Sequence, residues 1–242
     1  VRLGRAIAEA LGAAGFAVAV HANRSLDAAT AVASGIVGRG GRACVVQADL
    51  AREDAVAGLM ADARAGLGGA AIGVLVNNAS TFERDEWDDV TRQSWDHHME
   101  PNLRAPFVLS QAMARALPAG AEGMVLNMLD QRVWSLTPHF VSYTVSKAAL
   151  WSLTQQLALA LAPRVRVNAV GPGPALPSPR QTEAQFARQC ESTPLRRGTS
   201  PAEVAAAVMA LLALPSVTGQ MLALDGGQHL QWSPAGEGGV EE

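Results

Sequence analysis

The sequence predicts an α/β fold: one doubly wound parallel sheet in a single domain. Three observations lead there. Short, valine-rich apolar runs alternate along the chain with longer segments whose apolar residues recur at helical spacing. Strands that alternate with helices form a parallel sheet with right-handed crossovers. Polar or glycine-bearing clusters follow several of the runs, at His21–Ser25, Ala48–Leu50, Asn77–Ser80, Asp130 and Pro172–Gly173. Those are the carboxyl ends of strands, where open α/β sheets bind ligands.

Taken in order, Arg2 to Ala14 is helical and ends at Gly15, and Phe16 to His21 is a buried strand. A helix from Leu26 to Val37 closes on Gly38 and Gly40-Gly41. Arg42 to Gln47 is the next strand, Glu53 to Gly66 a helix, and Ile72 to Val76 a strand running into Asn77. A long helix from Gln93 to Leu117 is expected to bend near Pro101 and Pro106, which lack the N–H a helix needs. Met124 to Leu129 is a strand, Ser142 to Leu161 a helix stopped by Pro163, and Val165 to Val170 a strand. The segment Pro174 to Thr199 holds one amphipathic helix. Ser200-Pro201-Ala202-Glu203 supplies an N-cap, an N1 proline and an N3 glutamate for a helix to Ala213. Gln220 to Leu224 is the last strand. Residues 1–232 therefore form one Rossmann-type domain, and 233–242 a tail expected to be disordered.

At 242 residues the chain can bury a sizeable core, and 49% apolar with 17% charged residues is ordinary globular composition. A net charge of −3 without a block of like charge gives no reason to expect nucleic acid. No apolar run reaches the roughly 20 residues of a membrane helix. Cys44 and Cys190 have neither disulfide nor metal spacing, and a reducing, cytoplasmic setting is the default. His97 and His98 are adjacent, so they face different sides of a helix and read as surface or packing residues; no metal site is visible.

The chemistry concentrates between Asp130 and Lys147. Tyr143 and Lys147 stand four apart on a predicted helix, hence on one face. A lone tyrosine ionises near pH ~10, and a neighbouring lysine is expected to lower that value toward the range useful for proton transfer. Asp130 ends the strand thirteen residues before Tyr143. A tyrosine and lysine at this spacing usually make only a surface pair. Here they share the chain with Asn77-Asn78-Ala79 after a strand, Asn102 in a helix, and Asn168-Ala169-Val170-Gly171-Pro172-Gly173 after another strand.

That set, in that order, resembles the short-chain dehydrogenase/reductase family over nearly the whole chain. Most of that family carries serine where this chain has Asp130. Asp130, Tyr143 and Lys147 together resemble its pteridine reductase branch, as do Arg2-Leu3-Gly4-Arg5, His21-x-x-Arg24-Ser25, Asn78-Ala79-Ser80 with Phe82, and Asn127-Met128-x-Asp130. The resemblance implies NADP(H) held by Arg2, Leu3, Gly4, His21, Asn23, Arg24, Ser25, Asp49, Leu50, Asn78, Ala79, Ser80, Tyr143, Lys147, Pro172 and Gly173. An acid commonly selects NAD after the second strand, and none stands at His21–Ser25; Arg24 and Ser25 suit a 2′-phosphate instead. Ser25 can equally cap the following helix.

The resemblance further implies Asp130, Tyr143, Lys147 and Asn102 as catalytic residues. Arg2, Ser80, Phe82, Asp130 and Tyr143 would contact a pterin, with Phe82 stacking on the ring; ordinary core packing is the other reading of Phe82. It implies a homotetramer built through the two long helices, and a strand and glycine-rich turn of about 15 residues ahead of Val1. Two features depart from the branch: Pro174-Ala175 replaces a small hydroxyl residue, and Leu176 to Arg197 offers no residue assignable to a substrate. The expected activity is NADPH-dependent reduction of a dihydropteridine. A carbonyl or 3-oxoacyl reductase, and a cofactor-binding sensor without turnover, are the alternatives.

Overall fold

Valine, leucine and methionine alternate on the central strands so that each strand feeds two faces, and a sheet covered on both faces needs helices above and below. In the computed structural model, which describes residues 3–178 and 180–231, this is what forms. The elements run α1 (Leu3–Ala13), β1 (Ala17–Ala22), α2 (Leu26–Gly38), β2 (Arg42–Gln47), α3 (Glu53–Gly66), β3 (Val74–Asn77), α4 (Arg92–Met99), α5 (Ala105–Ala116), β4 (Gly123–Met128), α6 (Val141–Leu161), β5 (Val165–Pro172), α7 (Glu183–Glu191), α8 (Pro201–Leu212) and β6 (Met221–Leu224). Arg2 and the tail 233–242 lie outside the described residues.

Met124, Leu126 and Met128 of β4 join Val170, Ile7, Leu11, Ile36, Val204 and Val208 in one apolar layer, beneath α1, α2 and α8. Val125, between them, points the other way with Val167 into a second layer under α3, α5 and α6, among Val56, Leu59, Leu109, Met113 and Leu157. The two-residue period of the strand separates the layers.

All six strands pair in parallel, but in two ladders, β2-β1 and β3-β4-β5-β6, rather than the single sheet the sequence predicts. Among the described residues no strand carries hydrogen bonds from one ladder to the other. The predicted helix 93–117 is interrupted where its prolines stand. Residues Glu100–Arg104 form a π-helical turn, and the Ala105 N–H donates to Glu100 O, five residues back. This turn carries Asn102 into the interior, where it is 1% exposed; such bulges recur at functional positions. The capping signature ahead of α8 forms as read, with Ser200 Oγ accepting from the Glu203 N–H at 3.2 Å.

Candidate active site

Parallel strands present all their carboxyl ends on one edge, so the loops after β1, β2, β3, β4 and β5 converge there. At its centre, Leu129 donates its N–H to Val170 O, and the chain turns at Asp130 into a short 3-10 stretch, Gln131–Val133. Asp130 Oδ1 accepts the Arg132 N–H at 2.9 Å and caps that turn. Its Oδ2 accepts the Tyr143 O–H at 2.9 Å. One helical turn further along α6, Lys147 Nζ donates to Met128 O at 2.9 Å. Tyr143 is 6% and Lys147 3% exposed, so phenol and ammonium are buried, while the Asp130 carboxylate is half-buried and lines the cleft.

This corrects the expected electrostatics. Burial pushes the Tyr143 phenol well above the usual range and the Asp130 carboxylate pushes it further, with Arg132 opposing. Burial pulls Lys147 down to about 8, against the pull of Asp130. Burial first, and then the carboxylate holding the phenolic hydrogen, keep the phenol high, while the lysine ammonium is 5.7 Å from the ring centroid and turned to a carbonyl. Tyr143 is stored as the acid.

Asn102 faces the loop after β3 rather than this triad. Its Oδ1 accepts the Thr81 N–H at 2.9 Å, and its Nδ2 donates to Thr81 O and Ser146 Oγ, both at 3.1 Å. The loop is tied down again beyond Phe82. Glu83 N–H donates to His98 Nε2 at 3.0 Å, which leaves the ring hydrogen on Nδ1 to donate to Ser142 Oγ at 2.6 Å. Ser142 in turn donates its hydroxyl and its N–H to the carboxylate of Asp85. His98 is thus no surface residue: it is fully buried between α4 and α6, and burial lowers its pKa despite Asp85. His97 stays exposed. Adjacency alone could not show which of the two faces inward.

Phe82 sits between these ties. Its ring stacks on Phe140 with centroids 4.6 Å apart and 6° between planes, and meets Tyr143 edge-on at 4.7 Å. Phe140, missed in the sequence, holds a left-handed backbone (φ 59°) at the start of α6, with its N–H on Asp85 O at 2.9 Å. A non-glycine residue there marks a constrained site. Arg180 lies over Phe82 at 5.3 Å, donates to Glu83 Oε2 at 2.7 Å and to Phe82 O at 3.2 Å. The segment 176–197, in which the sequence offers no residue assignable to a substrate, supplies a wall. Leu176, Ser178, Gln181 and Gln189 line one cleft with Phe82, Asp130, Pro172 and Gly173.

On the other side of the edge, a Cβ on Gly4 would come 2.7 Å from Asn78 Nδ2, so the start of α1 and the Asn78 side chain after β3 approach closely where residue 4 is glycine. Ala79 and Ser80 beside Asn78 are exposed, and Leu3 packs on the core. His21 Nε2 donates to Ala48 O at 2.9 Å, and Gln47 donates to Asn23 O at 2.9 Å, joining the loops after β1 and β2. Asp49 Oδ1 accepts the Ala51 N–H, making a tight turn, and Leu50 packs inward. Ser25 occupies the N-cap of α2 without a side-chain capping bond. Arg24 beside it is exposed and has no ion pair among the described residues. Cation and hydroxyl are both uncommitted at a helix N-terminus, a fit for a phosphate group. No cluster of metal-ligating side chains occurs among the described residues, and no described helix is long and apolar enough to cross a membrane.

A family model described as enoyl-(acyl carrier protein) reductase matches residues 2–229. The chain belongs to the short-chain dehydrogenase/reductase family. It is an oxidoreductase of that family with the Rossmann-type fold. It is similar to FolM, alternative dihydrofolate reductase 1 of Brucella suis, solved with NADP. Identity is 48%, covering 97% of this chain and 93% of that one, with a TM-score of 0.93. The angucycline C-6 ketoreductase LanV, solved with bound NADP, is 31% identical over 95% and 92% of the two chains, with a TM-score of 0.86. The 3-oxoacyl-[acyl-carrier-protein] reductase of Synechocystis sp. is 32% identical over 93% and 92%. The higher identity to FolM places this short-chain reductase on the pteridine reductase-like branch.

Proposed function

We propose that this chain is an NADPH-dependent reductase of a dihydropteridine, with protonation through Tyr143, Asp130 and Lys147. One observation carries the reading: the buried phenol donates to a carboxylate that lines the cleft, where a serine would serve a carbonyl substrate. The cofactor is NADP(H), for which Arg24, Ser25 and the close approach at Gly4 are suited. The neighbours solved with NADP support it. When bound, NADPH supplies a hydride to a ring carbon of the substrate.

The remaining work falls to the protein. Phe82, held on both sides in sequence by Asn102 and His98, offers an aromatic surface to a flat heterocycle. Tyr143 gives its proton to the ring nitrogen next to the reduced carbon, while Asp130 orients the phenol and remains charged. Lys147, an ammonium below about pH 8, opposes the charge left on the phenol. A homotetramer built through the two long helical segments that begin near Gln93 and Ser142 belongs to the same reading.

The test is NADPH oxidation by the full-length protein with dihydrobiopterin and with a 3-oxoacyl thioester compared side by side. Turnover of the pterin supports the reading. Turnover of the thioester alone replaces it with the carbonyl-reductase alternative, which the Synechocystis relative favours.

A further inference from the structure

Asp130 is followed by Gln131, which is 5% exposed and lines the same cleft as Phe82 and Asp130. Its amide Oε1 is buried and accepts no hydrogen bond from the described residues. A buried oxygen without a donor costs about 1–3 kcal/mol, and native structures leave few. The neighbours across the cleft do not relieve it. Gln181 donates to Gln189 Oε1 at 2.9 Å and accepts the Ser178 N–H at 3.0 Å, while Arg132 Nη1 donates to Thr137 Oγ1 at 3.2 Å. Its backbone is equally fixed, since Gln131 O accepts the N–H groups of Trp134 and Ser135. The backbone that carries the amide is fixed by its turn, and the amide oxygen lacks a donor.

The position says which donor. Gln131 directly follows Asp130, whose other oxygen holds Tyr143. Gln131 and Asp130 line the same cleft, so on the pteridine reading the amide stands near the carbon that is reduced, which is where the pterin carries its side chain. The same cleft is lined by the uncharged polar side chains of Ser178, Gln181 and Gln228 as well as by the charged Asp130 and Arg132. Resting on the pteridine reading above, we infer that Gln131 is a specificity-determining residue. Its Oε1 accepts a hydrogen bond from a hydroxyl on the substrate's side chain, next to the carbon that is reduced.

The experiment compares two substrates on the full-length protein: dihydrobiopterin, whose side chain bears hydroxyls, and 6-methyldihydropterin, whose side chain bears none. Wild type is expected to favour dihydrobiopterin about tenfold in kcat/KM, the worth of one hydrogen bond to a buried acceptor. Gln131→Met removes the acceptor at nearly constant volume. It should erase most of that preference through KM for dihydrobiopterin, leaving 6-methyldihydropterin and NADPH affinity unchanged. Gln131→Glu, which keeps acceptor oxygens, should retain the preference and serves if the Met variant does not bind NADPH. Equal activity of wild type on both substrates, an undiminished preference in Gln131→Met, or loss of the preference in Gln131→Glu overturns the inference and leaves the pteridine reading standing. A wild-type protein that reduces neither pterin overturns both.

Discussion

Replacing Asp130 by Asn tests the central arrangement directly, because the chain contains a single tyrosine. Phenolate absorbance in the near ultraviolet therefore reports Tyr143 and nothing else. In the wild type the Tyr143 O–H donates to Asp130 Oδ2 at 2.9 Å, and both burial and the carboxylate hold the phenol protonated. Asparagine keeps the shape and an acceptor oxygen but removes the charge. A hydrogen bond to a charged group is worth about 1.5–3 kcal/mol, so the phenol's ionisation constant should rise roughly 10- to 100-fold. The assay is a spectroscopic titration of wild type and Asp130→Asn, over the range in which circular dichroism shows both folded. Tyr143→Phe, which should show no titration, is the blank. Pterin reduction should fall with it, since an acid no longer oriented transfers its proton more slowly. An unchanged titration curve in Asp130→Asn would refute the claim that the carboxylate governs the phenol.

Arg24→Ala should weaken NADPH about 10- to 100-fold, the loss of a charge-assisted contact, while NADH changes little; equal losses in a binding titration would show that Arg24 does not read the 2′-phosphate. His98→Phe keeps an aromatic filling but strands the Glu83 N–H and removes the donor to Ser142 Oγ, which keeps its bond to Asp85. It should cost about 1–3 kcal/mol in chemical denaturation and raise the pterin KM more than it lowers kcat, because the Phe82 loop loses a tie. A variant with wild-type KM would remove His98 from the site. Lys147, with its folded-state pKa pulled to about 8 from 10.5, binds fewer protons folded than unfolded between those values. Stability in the cofactor-free protein should therefore rise with pH across that window relative to Lys147→Met, by on the order of 3 kcal/mol in all, the cost being fully present below pH 8. Tyr143 titrates in both proteins and cancels. A pH-independent gap between the two melting curves would contradict the burial of a charged Lys147.

Much of the layout was legible from local pattern. The six strands fall within a residue or two of their positions, and the carboxyl-end clusters share one edge. Tyr143 and Lys147 share a helix face, with Asp130 at the end of β4. The bend at Pro101 was readable from the missing N–H, although its form, a π turn that buries Asn102, was not. Less legible were the groups joined across long stretches of chain. His98 meets Ser142 over 44 residues, Asp85 meets it over 57, and Arg180 reaches Glu83 over 97.

The sequence by itself determined the alternation of strand and helix, the faces each element buries, and the residue types gathered at the carboxyl edge. These follow from periodicity and turn chemistry, which act over a few residues. Only the tertiary structure decided the protonation of the site. A lysine four residues away promised a lowered phenol pKa. The packing of α6 against β4 instead set Tyr143 against a carboxylate, turned Lys147 to a backbone carbonyl and buried both the phenol and the ammonium. Ionisation depends on desolvation and on the nearest charge, and both are fixed by which elements stack, not by spacing along the chain.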